Sequence, residues 1–388
     1  MKKTIFLAAI ACVALAGCTK NERIADIARD GVDVPLSFSP ITNPATRAVA
    51  GEMPTAYNTG ESFIAFAGWT AGDYAGSTGV TEFFVNNLTT AICSYDATWT
   101  CWKPVVTYYW PKTGKLTFEA LSPADVQYHA AAIGHTWAVG VTLDDFAVRG
   151  GIKDQYDLLY SSREFNKVRS LYTPAADADP SDPYDEKSGD AGSYKGVDLF
   201  FHHALSSIVF KVKTKADYSS NATITLTGLT INNAYSTGDF TQGGNDGASA
   251  AAWSQTPAWS NQTAAVDYSV FSGSQTVTSS SAAVSPLVGS ASNIILLPQN
   301  LEHTSATDNV TVTVTYTVAQ NGGSALPQTA VIKLKDLTAS SSAITKWEMS
   351  KRYTYTIVFG LDEIYFDPRV EDWTPVNMDE YVIKESDV

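Results

Sequence analysis

Few reactive side chains are available in this 388-residue sequence, which carries 4 cysteines and 5 histidines. Cys18 closes the run Leu15-Ala16-Gly17-Cys18, directly after the apolar stretch from Ile5 to Leu15 and the basic pair Lys2-Lys3. A basic start, a short apolar run and small residues make an export signal, and the run is too short to span a bilayer. With cysteine at its end it reads as a lipobox, where a bacterial lipoprotein is cut and acylated on the thiol. An ordinary signal peptide with a chance cysteine is the alternative. Cys12 would leave with the signal. Cys93 and Cys101 remain, bounding CSYDATWTC, which reads as a hairpin turning at Asp96-Ala97. In an oxidising compartment, cysteines facing each other across a hairpin are expected to pair; two free thiols are the alternative, since disulfide geometry is restrictive.

No other group of residues makes a convincing catalytic or metal constellation. His202 and His203 are adjacent, so on a strand they face opposite sides and cannot share a metal; a position at a domain junction fits them better. Asp177, Asp179, Asp182 and Asp185 suggest a calcium loop, but Asp182 stands where that loop needs Gly and Ser188 where it needs Glu. Asp144 and Asp145 point apart in extended chain. The sequence has no G-x-S-x-G, G-x-x-x-x-G-K or H-E-x-x-H motif. The expectation is a non-enzymatic protein with no cofactor and no metal. Trp253 and Trp259 lie among Ser, Thr, Gly and Ala; they either stack on sugars or anchor loops to the core, and the second reading is favoured.

Composition narrows the partners. The formal charge is −14 and no basic stripe with interleaved aromatics is present, which argues against nucleic acid. Only 17% of residues are charged, while Ser, Thr, Gly, Tyr and Trp are plentiful, a balance that suits short strands and polar turns. No segment beyond the first apolar run approaches a transmembrane length, so lipid would be the only membrane attachment.

Strand-like segments follow one another along the chain: SFIAFAGW, TEFFVNN, CWKPVVTYYW, GKLTFEALSP, HTWAVGVTL and DLLYSS. Leu116, Phe118 and Ala120 alternate clearly. The Pro-, Asp- and Gly-rich stretch 174–196 marks a linker or a long surface loop. A second run comprises VDLFFHHALSSIVFKVK, ATITLTGLTI, SNIILLPQN, NVTVTVTYTV, TAVIKLKDL, KRYTYTIVFG and EIYFDP, with Val312, Val314 and Tyr316 on one face. Residues 236–281 read mainly as long loops. Many short strands with turn signals predict an all-β chain of two tandem β-sandwiches. Near the start, VPLSFS alternates Val34, Leu36 and Phe38 with polar residues, and Pro35 suits an edge strand. A Pro- and Thr-rich stretch with a bare arginine, Arg47, follows it.

The order of these segments resembles the fimbrillin family of Bacteroidetes, subunits of lipoprotein-derived surface fimbriae. The matching pieces run from LAGC through VPLSFS with ATRA, YYWPKTGKLTFEALSP, DLLYSS, VDLFFHHALSSIVFKVK, LTINNAYSTGDF, IILLPQ and YTYTIVF to IYFDPRVEDW. The resemblance implies two tandem transthyretin-like β-sandwich domains. It also implies export, acylation (palmitate) at Cys18, passage to the outer membrane surface, and cleavage between Arg47 and Ala48. In such subunits the segment before the cut supplies the first strand, here Val34, Leu36 and Phe38, and its loss opens a groove for a neighbour's strand. The C-terminal stretch would donate, with Trp373, Val376, Met378, Tyr381 and Ile383 as anchors; a terminal strand folded on its own domain is the alternative. The organisation expected is a signal peptide at 1–17, a lipidated propeptide at 18–47, an N-terminal domain at 48–195 and a C-terminal domain at 196–388. Partners would be other fimbrial subunits, the outer membrane before processing and a surface receptor, with adhesion as the outcome. A lipid-anchored, non-polymerising anchor subunit and a glycan-binding lipoprotein are the competing readings.

Overall fold

The computed structural model describes residues 34–42, 57, 59–83, 91–128, 130–152, 155–172, 196–244, 254–280, 282–284, 294–303, 309–320, 322–339, 342–360 and 364–372. Their regular secondary structure is almost entirely strand, with a few short 3-10 turns. The first part of the chain gives β1 (Phe38–Thr42), β2 (Ser62–Thr70), β3 (Thr81–Glu82), β4 (Ile92–Asp96), β5 (Cys101–Pro104) and β6 (Lys115–Ser122). Then come β7 (Ala132–Thr136), β8 (Gly140–Ala147), β9 (Leu159–Ser161), β10 (Glu164–Lys167) and β11 (Val197–His203). The second part gives β12 (Ser206–Thr214), β13 (Ala222–Thr241), β14 (Ala258–Val277), β15 (Ala282–Ala283), β16 (Ile294–Leu296) and β17 (Thr311–Gln320). It ends with β18 (Leu326–Lys333), β19 (Thr338–Ala339), β20 (Ser342–Ala343), β21 (Lys351–Phe359) and β22 (Ile364–Asp372).

The first sheet runs β10-β6-β9-β11-β1-β5-β4-β2-β3, and β2 also pairs with β6. That extra ladder closes the sheet on itself, which leaves the strands of the ring without open edges. Alternate residues point inward: Phe63, Ala65 and Ala67 from β2, Leu116, Phe118 and Ala120 from β6, and Val197, Leu199 and Phe201 from β11 form one core. The opposite face of β2 is buried too, because Ile64 and Phe66 join a second core. This explains why SFIAFAGW is nearly continuous in apolar residues instead of alternating.

The second core lies mainly between two sheets, one ordered β15-β12-β21-β22 with β16 beside β12, the other β18-β17-β13-β8-β7 with β14 beside β13. Ile208, Phe210 and Val212 of β12 and Tyr353, Tyr355 and Ile357 of β21 face Ile224, Leu226, Leu229 and Ile231 of β13 and Val312 and Val314 of β17. Each half of the molecule contains a parallel pair, β1 with β11 and β12 with β21.

Three sequence expectations change. The boundary expected between 195 and 196 falls one strand early: β11 pairs with β1 and β9 in the first sheet, and the crossing comes at Ala204-Leu205, which belong to the second core. The β7–β8 hairpin, although within the first half of the sequence, pairs through β8 with β13 in the second. The stretch 236–281 is largely not loop, since β13 reaches Thr241 and β14 spans Ala258–Val277. Register shifts break the alternation along that long hairpin, and its outer strand is mostly exposed, so neither signal of a strand survives in the sequence.

Candidate functional site

The opening stretch forms the most unusual feature of the first core. Val34, Leu36 and Phe38 are 2%, 1% and 0% exposed, and all three side chains enter the closed sheet. The Leu36 amide donates to the Tyr108 carbonyl at 2.7 Å, and the Trp110 amide donates to the Val34 carbonyl at 2.8 Å. Between these bonds Pro35 bridges Tyr109 at a non-hydrogen-bonded position, so its missing N–H leaves no gap. From Phe38 onward the chain runs parallel to β11, with Phe38 opposite Val197 and Thr42 opposite Phe201. On its other side β5 meets it only where Phe38 faces Trp102. The strand is therefore internal, not an edge strand as Pro35 suggested. Pro35 is tolerated because it precedes the β11 pairing.

Aromatic rings line the seat. Phe38 meets Phe63 and Phe118 edge to face, with centroids at 5.8 and 5.5 Å. Tyr57 stacks on Phe201 at 5.3 Å and sends its hydroxyl to Ser122 Oγ at 2.7 Å. Trp110 packs against Phe118 and stacks on Tyr172. Beside the strand, Gly196 has φ +118°, and a Cβ there would come within 2.5 Å of the Phe38 nitrogen and the Ser37 carbonyl carbon. Glycine is required on both counts.

A profile of the fimbrillin-like family matches residues 46–373. The chain belongs to this family. Among solved structures, a fimbrial protein from Bacteroides vulgatus ATCC 8482 aligns with a TM-score of 0.54 and 16% identity, covering 87% of this chain and 99% of that one. That likeness supports the fold. The tip fimbrial protein Mfa3 from Porphyromonas gingivalis, with C-terminal truncation, aligns at 0.38 and 10% identity over 88% of this chain and all of that one (100%). A fimbrial assembly protein from Parabacteroides distasonis ATCC 8503 aligns at 0.35 and 9% over 87% and 98%. No curated protein matches this chain.

Within this fimbrillin-like chain, Val34, Leu36 and Phe38 are the sequence-predicted residues that the structure brings together. Cys18, Arg47, Ala48, Trp253, Trp373, Val376, Met378, Tyr381 and Ile383, with the 177–185 aspartates, lie outside the described residues. Cys93 and Cys101 are not joined. The hairpin sets Asp96 opposite Cys101 and Cys93 opposite Pro104. An offset of three positions is roughly 10 Å along a strand and places the two side chains on opposite faces, beyond disulfide reach. Cys93 instead lines the same core as Phe38, and burial pushes its thiol pKa well up. Trp259 is an anchor: its indole N–H donates to the Ala204 carbonyl at 2.7 Å, and its ring packs on Phe146 and Phe240. His202 and His203 have separate partners, Ser162 Oγ and Asp157 Oδ2, at the crossing between the two halves.

One buried cluster carried no sequence signal. Glu119, on the outer face of β6, is fully buried and bonds His135 Nε2 at 2.7 Å, while Arg163 Nε donates to its other oxygen at 2.8 Å. Arg163 Nη1 also donates to the Tyr74 hydroxyl and the Trp137 carbonyl. Burial alone would raise the Glu119 carboxyl pKa, but the His135 hydrogen bond and the Arg163 charge outweigh it and hold it below the usual range. The cluster pins the β7–β8 hairpin to the outer wall of the first sheet.

Proposed function

We propose that the chain is a subunit of a surface fimbria whose first strand is a temporary occupant of its seat. It is exported as a lipoprotein acylated at Cys18, held at the outer membrane and cut between Arg47 and Ala48. A neighbouring subunit's strand then replaces β1, and the resulting polymer supports adhesion. The position of residues 34–42, which end in β1, carries this reading: an internal segment with three buried anchors, joined to the rest of the chain through the stretch that holds Arg47. A single cut there leaves β1 held only by hydrogen bonds and burial. The family match, which begins at residue 46 and so omits β1, supports the same division.

Energetics explain why replacement must accompany release. Each buried anchor contributes roughly 1.5–3 kcal/mol, so an empty seat is costly and exposes unpaired backbone on β11. A replacement strand must supply equal burial. The C-terminal stretch, with Trp373, Val376, Met378, Tyr381 and Ile383, is the candidate that this chain offers to other subunits. N-terminal sequencing of protein sheared from cells tests the scheme. A start at Ala48 in SDS-resistant ladders is the expected result; acylated Cys18 on all surface material overturns it and leaves a lipid-held anchor subunit.

A further inference from the structure

Building on that reading, we propose that the seat selects its incoming strand by an aromatic third anchor, and so takes the strand of a different subunit over the tail of a second copy. The three sockets along residues 34–38 are unequal. Those of Val34 and Leu36 hold aliphatic side chains, whereas the socket of Phe38 is walled by the rings of Phe63 and Phe118, both edge to face with it. Two rings already set at 83° and 85° to the guest ring favour another ring, because the positive edge of one meets the negative face of the next. A smaller aliphatic guest forfeits these contacts and leaves a void.

Gly196 fixes the depth of the guest. Its bare α-carbon lies against the 37–38 peptide, and the Val197 amide donates to the Ser37 carbonyl at 2.9 Å. An incoming backbone that repeats this approach holds its third anchor at one depth, so a side chain of the wrong size cannot be accommodated by sliding outward. The pattern the seat requires is apolar-x-apolar-x-aromatic in an extended, uncharged segment.

Residues 373–388 do not contain it. On one face Val376 and Met378 are followed by Glu380; on the other Tyr381 is preceded by Asn377 and Asp379. In the reverse direction Tyr381 and Ile383 would send Glu385 into the socket of Val34, where burial of an unpaired carboxylate is strongly unfavourable. The partner is therefore a strand with the chemistry of VPLSF carried by another protein of the assembly.

The test uses the whole chain with a site-specific protease sequence in place of Asn43–Arg47. After cleavage, the resident segment is exchanged in mild urea against excess synthetic peptides, and alkylation of Cys93, which lies in the same core, reports an empty seat. The peptides are residues 34–42, their Phe38→Ala and Phe38→Leu versions, and residues 373–384. Protection by the first, with the others at least roughly tenfold weaker, is the expected result. Equal protection by the Phe38→Ala version or by residues 373–384 overturns the selectivity while leaving strand replacement intact. If Cys93 of the cleaved chain stays protected in the same urea with no peptide supplied, the resident strand does not leave, and strand replacement itself fails, and the selectivity with it.

Discussion

The rings of Phe38 and Phe118 meet edge to face, with centroids 5.5 Å apart and planes at 85°. The contact makes a strand from the start of the chain part of a core built by β2, β6 and β11. Phe38→Ala removes a fully buried ring, and the intact chain should lose about 3–5 kcal/mol. Urea unfolding should show a lower midpoint at unchanged slope. A loss under about 1 kcal/mol would mean that the core does not lean on β1.

Gly196 tests the seat from the other side. With φ +118° and the 37–38 peptide within 2.5 Å of an added Cβ, Gly196→Ala should cost about 1–3 kcal/mol and loosen the strand locally. Hydrogen exchange of the amides of residues 36–42 should speed up while β13 and β17 stay protected. Gly150, which has open space around it, supplies the control: Gly150→Ala should leave exchange unchanged.

The sequence revealed faces better than neighbours. Leu116, Phe118 and Ala120, and likewise Val34, Leu36 and Phe38, lie on the faces their alternation implied, because a half-buried strand must repeat every second residue. Alternation does not say which sheet a strand joins, so VDLFFHH, contiguous with β12, read as the start of the second domain although β11 completes the first. Hairpin register depends on turn length, and the turn at Ala97–Thr100 is longer than a turn centred on Asp96-Ala97, enough to separate Cys93 from Cys101. Glu119, Arg163 and His135 come from separate strands and the segment between them, so no local pattern could have joined them. The seat was legible as a strand with three anchors. Its walls, Phe63, Phe118, Phe201 and Gly196, were not, since each was visible only as one more core residue or turn glycine.

The Glu119–Arg163–His135 cluster predicts an acid limb in stability. The folded carboxyl has a lowered pKa, so its contribution is complete above the ordinary value of about 4.3 and is lost as pH falls through the folded value. Urea midpoints should hold between neutral pH and about 5, then fall. Arg163→Met should cost about 3–5 kcal/mol near neutral pH by leaving Glu119 buried beside His135 alone, and should flatten the acid limb. An unchanged acid limb in that variant would assign the loss to other carboxylates.

Cys93 offers a direct readout of the seat. Its thiol is 0% exposed, shares a core with Phe38 and Leu36, and has a pKa raised by burial, so on both counts it should resist alkylation in the intact chain. Its strand, β4, is the neighbour of β5, and β5 borders the gap that β1 would leave. Cleavage alone should not expose it, because β1 stays seated by burial; exposure should follow only when β1 departs. Alkylation of the cut protein should therefore rise with mild denaturant at concentrations where the uncut protein is still protected, and the modified chain should resist refilling by residues 34–42. Cys101 is buried in the same hairpin but outside this core, and its alkylation should not track release of the strand. If both thiols react together, the hairpin has opened as a whole and the first strand is not a separable part of the fold.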